Sequence, residues 1–334
     1  MNSSTSSSDA AFGRCLKVGF ATLGLGALLI LALMIAVDPY DSGRFGWLGI
    51  EGVTDKIALS ANASRARDPH FDSAIFGNST GQLLNPAELS QATGARFVQL
   101  VAPGADPSGH LAILDFFLRR HPHVGALVIT LDDPWCVHGL APPPRNSFPF
   151  WLYGGNRLEY AGRLFSWSAI DRLAQRIAIG LGGRQRMNPD GFWSYEEVWP
   201  PGERQPVIEP QQEPPPFTGK VSDVFPFEAL LGDAIGKLPA DVPVVLLVPP
   251  TFYTIVPPPG SQAAAEHEAC TTAFKRIVAG RPHSNFIDYR VDNALTRDPA
   301  NFADLIHYRA KIARKMEVGI AASLRLGEAA KIDF

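Results

Sequence analysis

Between Val18 and Val37 the chain runs for 20 residues without a charge. About that many residues are needed for a helix to cross roughly 30 Å of hydrocarbon. A cleavable secretory signal is the competing reading, but its apolar stretch is normally about 7–15 residues and ends at a small-residue cleavage site. The stretch "LMIAVDPYDSG" that closes this run offers no such site. The run therefore reads as an uncleaved anchor, stopped at Asp38-Pro39. Arg14 and Lys17 precede it and Asp38 and Asp41 follow it, and cations gather on the cytoplasmic side of such spans. The expected topology is a single-pass inner-membrane protein. Residues 1–17 are cytoplasmic, residues 18–37 form the transmembrane helix, and everything after about residue 40 is periplasmic or otherwise extracytoplasmic.

In that topology Cys15 is cytoplasmic, while Cys136 and Cys270 lie in an oxidising space where they either pair or remain two separate buried thiols. With 334 residues, 46% of them hydrophobic and 19% charged, the exported part has the means to build a substantial core. The net charge of −3 and the absence of any basic run argue against nucleic acid as a partner.

Residues 38–71 read as a connector with a helix around Thr54–Arg65. From Ser73 onward, strand and helix patterns alternate. "SAIFG", "RFVQLVAPG", "GALVITLDDPW", "VPVVLLVPP" and "NFIDYR" are short apolar strands. "DPSGHLAILDFFLRRHP", capped by Asp106 or Ser108, is an amphipathic helix, and "AAAEHEACTTAFKRIVAG" and "HYRAKIARKMEVGIAASLRLG" are two more. Such alternation predicts an α/β domain over residues 72–334, with a parallel sheet covered on both faces. An insert over 137–219 interrupts it, rich in proline and aromatic residues. The insert is either a satellite apolar cluster or a substrate platform, in which Trp151, Tyr153 and Trp193, with Trp167 and Trp199, stack on sugar rings.

Two short motifs carry chemistry. "GNSTG" (77–81) follows the first strand and has the G-x-S-x-G form of a nucleophile elbow, although an ordinary tight turn would read the same way. "DLIH" (304–307) precedes the last helix and places a carboxylate and an imidazole three residues apart. A carboxylate that orients one ring nitrogen leaves the other to face a hydroxyl nucleophile. The chain order is informative: the serine ends the first sheet strand, and the Asp and His stand together near the C-terminus.

That arrangement resembles the SGNH (GDSL-like) hydrolase superfamily, and it extends over about residues 72–325 through four short blocks. The resemblance implies a three-layer α/β/α domain with a flavodoxin-like parallel sheet. It also implies Ser79 as nucleophile and oxyanion donor, Gly104 as a second donor, and Asp304 and His307 as the rest of the triad. The third block falls on Thr130-Leu131-Asp132-Asp133. Asn78 stands where the family has Asp, Thr130 where it has Gly, and Asp132 where it has the oxyanion-donating Asn. An ionised carboxylate donates no hydrogen bond. Asp132 in the oxyanion hole therefore points elsewhere, is kept protonated, or weakens the site.

The anchor and the insert make the chain look most like membrane-anchored proteins that acetylate or deacetylate exported polysaccharides. The resemblance implies acyl transfer on an exported polysaccharide or a small acyl ester, with a membrane acyl-donor partner and no cofactor or metal. A conventional carboxylesterase and a non-catalytic glycan-binding or assembly protein stay open as alternatives. His110 reads as half-buried helix packing. His121-Pro122-His123 lacks nearby cysteines or carboxylates for metal binding. Asn78-Ser79-Thr80 is a formal glycosylation sequon awkwardly placed at an elbow.

Overall fold

The structure, a computed structural model, describes residues 6–54, 58–144, 147–207 and 214–327. In chain order its helices and strands are α1 (Ser6–Val37), α2 (Ala58–Ala66), β1 (Ser73–Gly77), α3 (Pro86–Thr93), β2 (Phe97–Val101), α4 (Pro107–Arg120) and β3 (Leu127–Thr130). Then come α5 (Phe150–Tyr153), α6 (Arg157–Arg163), α7 (Trp167–Gly180), α8 (Pro226–Gly236) and β4 (Val244–Val248). The chain closes with α9 (Gln262–Val278), β5 (Asn285–Asp288), α10 (Ala294–Arg297) and α11 (Ala310–Leu326). All five strands expected from the sequence form. The helix expected around 54–65 is α2, and residues 55–57 at its start lie outside the described residues.

Contacts divide the chain into two compact units. One comprises residues 1–54 and 155–186, the other 55–154 and 187–334.

The larger unit holds a fully parallel sheet in the order β2-β1-β3-β4-β5. β1 to β4 are buried at every residue, as expected of parallel strands covered on both faces. Ile75, Val128 and Val245 face a cluster with Ile312, Met316 and Ile320 of α11. Their neighbours point the opposite way, and there Phe76 meets Phe117 of α4 edge-on at 5.8 Å. Asp106 is the N-cap of α4, accepting from the Gly109 amide at 3.0 Å. Cys136, in the helical turn after β3, forms a disulfide with Cys270 of α9.

The smaller unit contains α1, whose residues Ala11–Val37 are long and apolar enough to cross a membrane. It also corrects the domain boundaries expected from the sequence. Residues 38–54 are not a loose connector, and residues 155–186 of the insert pack with them rather than with the sheet. The reason is a buried polar network. The Arg176 side chain, 2% exposed, pairs with Asp41 at 2.7 Å and donates to the carbonyls of Gly52 and Ile50. Tyr160 donates to Asp38, which also accepts from the Gly43 amide. A buried guanidinium left unpaired is costly, so these bonds hold α6 and α7 to the segment after α1. Residues 58–66 go the other way, packing as α2 along β2 and α4.

Candidate active site

The site begins with Gly77, the last residue of β1. Its φ of +145° is one that side chains rarely adopt, and a Cβ there would fall 1.7 Å from Thr130 Oγ1. A Cβ on Gly81 would meet the same threonine at 3.0 and 3.1 Å. The two glycines of "GNSTG" thus make room for the Thr130 side chain. Between them Asn78 caps a single helical turn, Ser79–Gly81, which turns Ser79 out of the strand.

His307 arrives from the far end of the sequence. The segment between Phe302 and Tyr308 folds back on itself, with the Ala303 amide donating to the His307 carbonyl at 2.7 Å. This brings Asp304 alongside His307. One carboxylate oxygen accepts from the Ile306 and His307 amides at 2.9 and 2.8 Å, and the other lies 2.7 Å from His307 Nδ1. Burial by itself would raise the Asp304 carboxyl. The hydrogen bonds from the His307 ring and the two amides outweigh it and hold the group down at about 2. His307 Nε2 lies 2.9 Å from Ser79 Oγ.

Neighbouring residues lock this alignment. The Tyr308 hydroxyl donates to the Thr80 carbonyl, and the Tyr195 hydroxyl donates to the Tyr308 carbonyl. The residue after the histidine is therefore bonded to the residue after the serine.

The amides of Ser79 and Gly104 converge on one point, and Asn78 Oδ1 occupies it, accepting from both at 2.7 Å. Two amide donors identify this atom as the oxygen, which leaves Nδ2 to donate to Asp132 Oδ2 at 2.8 Å. Asp132 therefore does not offer a hydrogen bond to an oxyanion; it receives one from Asn78. Burial pushes its carboxyl up to about 6, against the Asn78 hydrogen bond, and Oδ1 is buried with no partner among the described atoms. Asn78 and Asp132, the residues that the resemblance sets against Asp and Asn, are thus the two sides of one contact.

The aromatic insert contributes differently from expectation. Tyr153 is buried, stacked on Phe148 at 5.3 Å and edge-on to Phe116 at 5.6 Å, so it presents no face to a ligand. Trp151 sits half-buried on α5. Trp193 packs on the core and donates to Glu197 at 3.2 Å. Trp167 belongs to the smaller unit. Trp199, one of the expected platform residues, and Tyr195 flank the imidazole, with ring centroids 5.4 and 5.5 Å from His307. The buried Arg309 braces this segment by donating to the carbonyls of Trp199 and Arg204.

Of the other histidines singled out in the sequence, His123 is exposed, and His110 and His121 are packing residues. His110 is fully buried rather than half-buried and stacks on Trp135, and burial holds its imidazole down at about 4. His121 stacks on Phe117 at 4.1 Å, and its Nε2 bonds the Ala66 carbonyl.

Chemically, the arrangement is a hydroxyl on a base, a base on a carboxylate, and a pair of amides directed at one oxygen. In comparisons with known proteins, no family model, curated protein or solved structure matches the chain.

Proposed function

We propose that this chain is a membrane-anchored serine acyl-transfer enzyme, acting on O-acyl esters of an exported polysaccharide through Ser79, His307 and Asp304. The observation that carries the reading is the continuous relay from Ser79 Oγ to His307 Nε2 at 2.9 Å and from Nδ1 to Asp304 at 2.7 Å. His307 takes the Ser79 proton as Oγ attacks the ester carbonyl, and Asp304 holds the ring so that Nε2 faces the serine. The carbonyl oxygen takes the place of Asn78 Oδ1 on the Ser79 and Gly104 amides, where developing negative charge is stabilised. Collapse breaks the bond to the alcohol, which leaves with the proton from His307, and the acyl group stays on Ser79. A sugar hydroxyl or water, deprotonated by His307, then releases it.

An extracytoplasmic site is supported by the apolar α1 and by the Cys136–Cys270 disulfide. A sugar acceptor rests on the resemblance noted in the sequence; Trp199 stands beside the imidazole, packed on the core with Arg204 4.9 Å from its ring centroid.

One observation favours the non-catalytic reading. Both amides are bonded to Asn78, so the site is closed at the point where an oxyanion would sit. Labelling with a serine-reactive fluorophosphonate separates the two. Labelling of the wild type that is lost in Ser79→Ala is the expected result, and an unlabelled wild type would make the chain a scaffold. Acetylated oligosaccharides tested beside p-nitrophenyl acetate then distinguish polysaccharide chemistry from small-ester hydrolysis.

A further inference from the structure

We infer that the smaller unit carries a second membrane-binding element, an aromatic collar seated in the lipid interface at the C-terminal end of α1. This inference goes beyond the acyl-transfer reading and is independent of it, resting instead on α1 as a membrane span.

The first argument is one of depth. Lys17 marks where charge ends on one side of the apolar run. From Val18 to Leu33 the side chains are largely exposed, and at 1.5 Å per residue these sixteen positions cover about 24 Å. Hydrocarbon about 30 Å thick reaches roughly one further turn. Yet within that turn Met34 and Val37 are each only 1% exposed, because the protein itself covers them. Whatever covers them therefore stands at the edge of the hydrocarbon, and its own outward surface has to be compatible with lipid.

The covering elements have such a surface. Gly46 and Leu48 donate their amides to the Ile35 and Ala36 carbonyls at 3.0 and 3.1 Å, which fixes Trp47 beside the last turn of α1. Trp47 is 80% exposed and Leu48 is 58%. On the other elements of the unit, Tyr160 of α6 packs on Tyr40, and Ser168 of α7 lies 3.5 Å from the Tyr40 hydroxyl. Near those contacts, Leu158, Phe165 and Trp167 point outward at 84%, 63% and 85% exposure. Five large apolar side chains, two of them tryptophan, are thus presented by the unit that holds the helix end. Tryptophan is favoured at this level, where its ring is amphipathic in the same sense as the interface.

The fold of the unit serves this placement. The Arg176–Asp41 pair holds α7 to the segment after α1, so the collar and the span move as one piece. The partner is the phospholipid interface of one leaflet.

The test uses the full-length chain in phosphatidylcholine–phosphatidylglycerol vesicles that carry lipids brominated high on the acyl chain, which quench tryptophan on contact. The wild type is expected to float with the vesicles and to be quenched. Trp47→Phe with Trp167→Phe should keep its flotation and melting temperature and lose most of the quenching. A second readout places an environment-sensitive fluorophore on Leu158→Cys in a Cys15→Ser background, with blue-shifted emission in vesicles expected. Flotation with unchanged quenching in the double variant, or with the probe emitting as in water, overturns the collar and leaves the face to a protein partner or a second copy. A wild type that does not float overturns the collar and the span together, and neither result touches the Ser79 chemistry.

Discussion

Two Asp–His pairs stand in the sheet-bearing unit with the same 2.7 Å contact, Asp304–His307 and Asp288–His267. Both imidazoles are largely covered, at 12% and 18% side-chain exposure. They differ in which nitrogen the carboxylate takes and in what lies beyond it. Asp304 holds Nδ1, leaving Nε2 to meet Ser79. Asp288 holds Nε2, and no hydroxyl bonds the other nitrogen among the described residues. Asp288 instead accepts from the Arg290 amide, and Arg290 reaches Asp133, so this pair ties β5 to α9 and to the turn after β3. A carboxylate beside an imidazole is a structural brace until a nucleophile is delivered to the remaining nitrogen. Delivery here depends on the Gly77 elbow.

The largest effect should come from the relay itself. Ser79→Ala and His307→Ala are expected to lower kcat/KM on p-nitrophenyl acetate by at least about 10⁴-fold, and Asp304→Asn by about as much. His267→Ala and Asp288→Asn should leave it within about twofold, since they remove only a brace. If His267→Ala slows the reaction as His307→Ala does, the contrast between the two pairs fails.

Gly77→Ala tests the elbow. With a Cβ 1.7 Å from Thr130 Oγ1 and a φ of +145°, it should cost more than about 3 kcal/mol or prevent folding. Adding Thr130→Ala should recover part of that loss in urea unfolding, because the nearest clashing atom is removed.

Asp132 predicts a pH dependence of stability. Its carboxyl is pushed up to about 6 in the folded chain, so between about pH 4 and 6 the native state binds a proton that the unfolded chain has released. Stability from this group therefore falls as pH rises through that window, by on the order of 2–3 kcal/mol. Urea unfolding from pH 4 to 7 should show the fall in the wild type and a flatter profile in Asp132→Asn. No such difference from the wild type is expected of Asp304→Asn in this window. The Asp304 carboxyl is held at about 2, so its contribution is present above the unfolded value near 4 and is lost only as pH falls toward 2.

Asn78→Ala sharpens the comparison further, because it opens the amides of the Ser79 corner and has no counterpart at His267. Freeing two hydrogen bonds worth about 1 kcal/mol each should speed fluorophosphonate labelling by up to about thirtyfold, at a cost of about 1 kcal/mol from the lost cap. Slower labelling would mean that Asn78 positions Ser79 rather than closing the site. The smallest effect belongs to the brace: His267→Ala should lower stability by about 1 kcal/mol in thermal unfolding.

Much of this corner was legible in the sequence because its parts are local. Gly77 to Gly81 is a five-residue turn, and Asp304 and His307 are three apart, so short-range geometry constrains each half. Strand patterning placed Ser79 and Gly104 at strand ends, and parallel sheets bring such ends to one edge. The aromatic residues show the limit. Tyr153 and Trp199 lie in the same insert with similar composition, yet one is packed under α4 and the other stands beside His307. Aromatic side chains are as useful in a core as at a site, and only the path of the backbone decides between them.

The sequence by itself determined the apolar span, the α/β alternation and the spacing of the two motifs, because hydrophobic period and turn chemistry are written in neighbouring residues. The tertiary structure alone decided three other matters. These are the pairing of Asn78 with Asp132 across 54 positions, the closure of the Cys136–Cys270 disulfide, and the transfer of residues 155–186 to the unit of α1. Each is a long-range contact between groups that are individually unremarkable. A buried amide, carboxylate or guanidinium takes whichever partner the fold brings within hydrogen-bonding distance, and the chain does not encode that partner locally.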